Sequence, residues 1–292
     1  MAQRAAFRAI ETPLIQLRQA GPHARFASAR WQSTSSVSST SEAGPSKSST
    51  SSIPVLPRPL GITMPPVSSP KTYVKGSDKF YDGERSRQER KVLLKEAGRG
   101  YFHDYNATKR DVAGKQWIAP KVLIREDMAR YFPNIAGTTL LGEKTNTTDL
   151  FKGKTTLVAI TSTRLSEEHT QSFVAPVLED QRGNDSFSFV EINHQANALK
   201  AAMVSFFASS LKRQTPEEQW GKTLLARGEW DELDIRQPMG LSNKIVGYVY
   251  LVDSNYKIRW AGSGMAQEQE VESLRTATAI LLKRQQAVKG AK

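Results

Sequence analysis

Hydroxyl, guanidinium and imidazole groups follow one short apolar segment of the sequence. The run TTLVAIT at 155–161 precedes Ser162, Thr163 and Arg164, and His169 comes one to two helical turns later. A serine beside a histidine can act as a nucleophile with its base, and an arginine at a helix start can bind an anion. The local sequence supplies no third residue that would orient His169. We therefore expect a surface histidine and a solvated loop arginine rather than a catalytic pair.

Other chemistry is excluded by what the chain lacks. It contains no cysteine, which rules out a thiol nucleophile, a disulfide and a thiolate metal site. Its four histidines show no HxH or HxxxH spacing, so we expect no metal and no cofactor. The segment PEEQWGKT at 216–223 has a proline where a phosphate-binding loop needs its first glycine, and GSG at 262–264 lacks the third glycine of a dinucleotide site. We expect no catalytic residue.

The positive charge lies mainly in the front part of the chain. The formal net charge is +12 over 292 residues, a value typical of proteins that meet nucleic acid or an anionic membrane. Residues 71–130 hold fifteen Lys and Arg against nine Asp and Glu, whereas residues 131–292 hold nineteen against eighteen. The later part is nearly neutral, so we expect no nucleic-acid partner for it.

The amino-terminal half divides into three predicted regions. Residues 1–32 are rich in Arg and Ala and poor in acid, which is typical of a mitochondrial transit peptide. Residues 33–77 are dominated by Ser, Thr and Pro, which predicts a disordered linker. Residues 78–130 form a basic extension, with a short charged helix predicted at 82–98 between Asp82 and Gly98.

Residues 131–285 carry the periodicity of a folded core, and 286–292 form a tail. Strands are predicted at 155–161, 187–193, 245–253 and 257–264, the last two joined as a hairpin by Ser254-Asn255-Tyr256. Helices are predicted at 167–180, 196–211 and 267–285. A parallel pair followed by an antiparallel hairpin gives an α/β fold with a mixed sheet flanked by helices. This is the thioredoxin-like arrangement, closer to its peroxiredoxin-like branch, preceded here by a disordered amino-terminal region.

Two blocks of sequence resemble a known family. KQWIAPKVLIREDMARYFPNIAGTTL, with IVGYVYLVDSNYKIRWAGSGMAQEQEVESL further on, is similar to the ATP-ten family of mitochondrial ATP synthase assembly factors. The resemblance covers about residues 78–285. It implies a redox-inactive, thioredoxin-like chaperone that is not an enzyme. It also implies a peripheral position on the matrix side of the inner membrane and, as partner, newly made subunit a of the membrane sector.

The surface that would contact such a partner is predicted from residue character alone. We expect it to combine the segment 84–110 with an exposed sheet edge, although a core position is favoured for the tryptophan of that edge. The candidates are Lys91, Leu94, Lys95, Tyr101, Phe102, Tyr248, Tyr250 and Trp260. Two alternatives stay open: a mitochondrial ribosome- or RNA-associated protein, suggested by the basic front, and a peroxiredoxin-like enzyme with a non-thiol mechanism.

Overall fold

The computed structural model describes residues 53–66, 83–97, 104, 105, 108, 114–195 and 208–290. The predicted transit peptide lies outside these residues, as do Tyr101, Phe102 and most of the helix predicted at 196–211. Contacts group Thr50–Lys292 into one unit.

Seven strands form one mixed sheet in the order β2-β1-β5-β4-β3-β6-β7. The strands are β1 (Ala136–Thr139), β2 (Lys144–Asn146), β3 (Thr155–Thr161), β4 (Phe187–Gln195), β5 (Thr223–Arg227), β6 (Tyr248–Val252) and β7 (Ile258–Ser263). β4 pairs in parallel with both β3 and β5, whereas every other neighbouring pair is antiparallel.

The helices connect and flank these strands. They are α1 (Gly83–Ala97), α2 (Thr147–Phe151), α3 (Arg164–Asp180), α4 (Ala208–Gln214), α5 (Gln237–Met239) and α6 (Glu268–Gly290). A single 3-10 turn at Glu217–Gln219 precedes β5, and a π-helical turn at Glu232–Arg236 leads into α5.

The arrangement of β4-β3-β6-β7 confirms the thioredoxin-like fold expected from the sequence. β3 and β4 are parallel and joined through α3, while β6 and β7 form an antiparallel hairpin. In the hairpin turn, Asp253 Oδ1 accepts the backbone N–H groups of Asn255 and Lys257, which supports the positive φ of Tyr256 (64°). β5 is not among the predicted strands, and its first residue, Thr223, is the last residue of the segment 216–223 that was considered as a phosphate-binding loop.

Each face of the sheet contributes to a separate apolar core. All seven residues of β3 are buried, and their side chains alternate between the two faces. Leu157 packs with Phe173 of α3 and Leu274 of α6. Val158 packs in the opposite core, which contains Phe151 of α2.

Amino-terminal segments cover the second of these cores. Leu60 and Trp117 are 3% and 5% exposed and belong to the same apolar cluster as β3 and β6. We call residues 114–132 the strap. The strap runs along the outer edge of β7, where Tyr131 bridges to Lys257 on one side and to Ile62 on the other. Packing therefore begins well before residue 131, the predicted start of the core, and includes residues 53–66 of the predicted linker.

Buried ion pairs fasten the strap to the core. Lys115 and Glu270 have side chains 1% and 2% exposed and lie 2.5 Å apart. Glu270 also accepts the backbone N–H of Ala119, so this one carboxylate joins the strap to the start of α6. Burial lowers the pKa of Lys115, opposed by its hydrogen bond to Glu270. A second pair, Arg259–Asp253, lies at the other end of β7.

Candidate functional site

A cleft of about 220 Å³ lies where β3 and β4 end. Sites in α/β sheets commonly occur at the carboxyl ends of parallel strands, because the loops diverge there. The largely apolar wall of the cleft includes Ile160, Trp230, Leu241, Ile245, Val246 and Tyr248, and the polar lining residues are Ser162, Thr163, His194, Gln195, Arg236, Asn243 and Lys244.

Ser162 and Thr163 hold the loop that leads into β6. Ser162 Oγ donates a hydrogen bond to the Lys244 carbonyl oxygen (2.6 Å), and Thr163 Oγ1 donates to the Ile245 carbonyl oxygen (3.0 Å). Thr163 is also the N-cap of α3, since its Oγ1 accepts the backbone N–H of Ser166. Both hydroxyl protons are thus donated to backbone carbonyls, which gives these residues a structural role.

His169 is buried rather than on the surface, so that expectation is wrong. The residue is 0% exposed, and its Nδ1 accepts the backbone N–H of Gly247 (3.4 Å). Since Ser162 donates to Lys244, it does not pair with His169. Burial is the main reason that the pKa of His169 is lowered. Gly247 permits this close approach: a Cβ there would lie 2.3 Å from the Ser166 carbonyl oxygen.

An aromatic pair forms one side of the cleft. The rings of His194 and Trp230 stack with centroids 3.8 Å apart and planes inclined by 17°. His194 Nε2 lies 2.9 Å from the Gly228 carbonyl oxygen; the oxygen can only accept, so Nε2 carries the hydrogen. Burial lowers the pKa of His194. The pair therefore presents a neutral, flat surface at neutral pH.

The cations of the cleft have carboxylate partners. Arg236 Nε lies 2.8 Å from Glu232 Oε2, as an ion pair without the alignment of a hydrogen bond, and Arg236 Nη2 donates to the Leu241 carbonyl. Lys244 Nζ lies 3.7 Å from a Glu229 oxygen. This pairing leaves the cleft without an excess of positive charge that would select an anion.

Helix α1 places part of the predicted contact surface beside the cleft. α1 packs next to the turn Glu232–Arg236, and Lys91 and Leu94 are exposed on it, Leu94 by 69%. Asp104, within the predicted contact segment 84–110, is hydrogen-bonded to the edge of the cleft. Its carboxylate accepts the backbone N–H of Lys244, and its carbonyl oxygen accepts the side-chain amide of Asn243. The side chain of Lys95 lies outside the described residues.

The prediction that Tyr248, Tyr250 and Trp260 form an exposed sheet edge is wrong. Tyr248 is 2% exposed, and Tyr250 and Trp260 are 0% exposed, because the strap covers β7 and β6 lies inside the sheet. Tyr250 OH donates to the Met239 carbonyl, and Trp260 Nε1 to the Pro120 carbonyl. The core position favoured for Trp260 is confirmed. Tyr248 lines the cleft from within, where burial raises its pKa to about 12.

Sequence reasoning missed the wall formed by 230–246. The run EWDELD at 229–234 has the acidic composition of a solvated loop, yet Trp230 is 8% exposed. The available signal was Asp231, whose Oδ1 caps the following turn by accepting the N–H groups of Leu233 and Asp234.

In the described part of the chain, no three His, Asp or Glu side chains come together as ligands for a metal ion. No helix among the described residues has the length and apolarity needed to cross a bilayer.

The topology and the cleft define a thioredoxin-like protein with no cysteine at the end of its central strand. The family model described as ATP10 protein matches residues 39–281. The chain belongs to the ATP10 family, the family that its sequence resembles.

Two curated relatives and two solved structures are similar to this chain. The mitochondrial ATPase complex subunit ATP10 of Saccharomyces cerevisiae is 30% identical over 75% of this chain and 84% of its own length. The protein of that name from Candida glabrata is 28% identical over 74% and 81%. A secreted thiol-disulfide isomerase from Corynebacterium glutamicum has a TM-score of 0.36, with 11% identity over 56% of this chain and 91% of its own. A thioredoxin domain from Bacteroides vulgatus has a TM-score of 0.34, with 17% identity over 52% and 95%.

Proposed function

We propose that this protein is a non-catalytic assembly factor for the membrane sector of the mitochondrial ATP synthase. It holds newly made subunit a on the matrix side of the inner membrane, where it is peripheral. The observation that carries the proposal is membership of the ATP10 family, whose curated relatives are named as subunits of the mitochondrial ATPase complex.

The side chains of the cleft favour binding of a polypeptide over catalysis of a reaction. Ser162 and Thr163 donate their hydroxyl protons to backbone carbonyls, and the sequence has no thiol. An apolar wall with paired charges fits an uncharged or apolar stretch of polypeptide, because such a stretch gains by leaving water and needs no counter-charge.

Helix α1 extends the proposed contact surface beyond the cleft. Lys91 and Leu94 are exposed beside it, and an apolar side chain flanked by cations suits a helical or extended client segment. Lys95, Tyr101 and Phe102 stay part of this proposal on sequence grounds.

The test is recovery of labelled mitochondrial translation products with the tagged protein after mild detergent. Wild type should recover subunit a. Ile245→Asp places a carboxylate in the cleft wall and should reduce recovery about tenfold or more, the effect of losing about 1.4 kcal/mol of binding. Ile280→Asp is the matched control, since Ile280 is 38% exposed on α6.

The alternatives give different results in the same experiment. Recovery of ribosomal RNA in place of a hydrophobic subunit would favour the RNA-associated function. Equal recovery by wild type and Ile245→Asp would exclude the cleft as the contact surface, while leaving the family assignment intact.

A further inference from the structure

Exposed apolar side chains gather beside the strap at the β7 end of the sheet. Val122 is 75% exposed, Met128 is 59% exposed and Met64 is 68% exposed. Scattered apolar residues on a surface are ordinary, but a group with flanking cations marks an interaction site more often. We call the following set the rim: Met64, Lys121, Val122, Met128, Arg130 and Lys257.

Backbone hydrogen bonds bring the rim residues together. Ile124 N–H donates to the Arg259 carbonyl, and Ile258 N–H donates to the Arg130 carbonyl. The turn between these two bonds therefore projects from the β7 edge and carries Met128. The antiparallel bridge of Ile62 with Tyr131 brings the segment that carries Met64 next to the strap.

The charge of the rim is positive. Lys121 and Arg130 are exposed, and Lys257 Nζ donates to the Glu126 carbonyl while lying 5.6 Å from the centre of the Tyr131 ring. Nearby Arg125 and Asp127 neutralise each other through two hydrogen bonds of 3.1 and 2.8 Å. The rim and the adjoining turn thus carry three cations, Lys121, Arg130 and Lys257, against the one carboxylate of Glu126. That carboxylate has no cationic partner among the described residues.

We propose that the rim lies on an anionic lipid bilayer, with Val122 and Met128 among the headgroups and the three cations near lipid phosphates. Apolar side chains with flanking Lys and Arg bind such surfaces in two ways at once. The apolar groups are buried among the lipids, and the cations are attracted to the anionic headgroups. Lysine is depleted in protein–protein interfaces, so two lysines in the rim favour lipid over a protein partner. The inference rests on the proposed peripheral position at the inner membrane.

This placement sets the height of the cleft. The rim adjoins Ile258 at the start of β7, whereas the cleft lies towards Ser263 at its end, about 17 Å away along the strand. With β7 upright on the bilayer, a client segment held in the cleft would lie above the headgroups, outside the hydrocarbon.

The absence of cysteine from the chain permits a direct test with the full-length protein. Met128→Cys is labelled with a polarity-sensitive dye and mixed with phosphatidylcholine vesicles, with and without phosphatidylglycerol. Leu141→Cys is the matched control, because Leu141 is 51% exposed in the turn between β1 and β2 at the opposite end of the sheet. Emission from position 128 should shift to the blue with the anionic vesicles only, and emission from position 141 should not.

Charge reversal gives a second readout. Lys121→Glu with Arg130→Glu should weaken vesicle binding about fivefold or more for each cation. Lys283→Glu with Arg284→Glu makes the same change in net charge on the exposed face of α6 and should have a smaller effect. Equal losses in the two double variants, or equal dye shifts at 128 and 141, would overturn the rim as the contact. These assays contain no client, so their failure leaves the assembly function to be judged by the pull-down.

Discussion

Removing one partner of the buried Lys115–Glu270 pair should cost nearly as much stability as removing both. Lys115 Nζ donates to Glu270 Oε2 and to the carbonyl oxygens of Ser263 and Met265. Since both side chains are almost fully enclosed, the Lys115→Met variant leaves a buried carboxylate without its counter-ion. Breaking a buried ion pair in this way typically costs 3–5 kcal/mol, so about 3 kcal/mol is expected here.

The remaining hydrogen bonds place the estimate at the low end of that range. Glu270 keeps the backbone N–H donors of Ala119 and Gln267, which stabilise its charge. Glu270→Gln should cost a similar amount, because the buried Lys115 cation then loses its counter-ion and keeps only neutral partners. The double variant Lys115→Met with Glu270→Gln contains neither charge and should cost about 3–4 kcal/mol in total, which implies a coupling of about 2 kcal/mol or more.

Urea denaturation of the four proteins measures this cycle. The midpoint should move while the slope stays constant, since the surface exposed on unfolding is unchanged. Lys283→Met, on the exposed face of α6, serves as the surface control and should change stability by less than about 0.5 kcal/mol. Single variants that each cost under about 1 kcal/mol, or costs that simply add, would refute the account of the strap as fastened by this pair.

Three further outcomes follow from the site. Burial lowers the pKa of His169 below 6.5, so the unfolded chain binds a proton that the folded chain does not, and stability should fall from about pH 7.5 to about pH 5.5. His169→Gln should reduce that slope by at most about 1.4 kcal/mol per pH unit in thermal melts, and an unchanged slope would contradict it. Gly247→Ala should lower the free energy of unfolding by about 1–3 kcal/mol through overpacking, while Gly290→Ala, with open space around it, should not. Purified protein should show no peroxide reduction, and turnover lost in Ser162→Ala would disprove the non-catalytic assignment.

The local sequence pattern was sufficient to predict the elements at the centre of the sheet. β3 is seven apolar or β-branched residues in a row, and it lies at the predicted bounds 155–161. The hairpin and the last helix also follow from alternation and periodicity, although α6 continues to Gly290. In these segments local preference and tertiary burial favour the same structure.

The remaining features depend on contacts between distant residues. β5 is short, and its pairing with β1 and β4 is not visible in its own sequence. Leu60 lies in a stretch whose Ser, Thr and Pro content predicts disorder, yet its burial depends on Trp117 and β6. The cleft wall was missed for the same reason, since the burial of Trp230 depends on the apolar cluster around it and on His194 of β4, which stacks on its ring.

The cover formed by Leu60 and Trp117 limits how far the chain can be shortened. A fragment starting at residue 131 would lose both side chains from the apolar cluster that contains Tyr248 and Tyr250, and the bared face would promote self-association. A shortened chain must therefore begin upstream of Leu60 if both side chains are to keep this face covered.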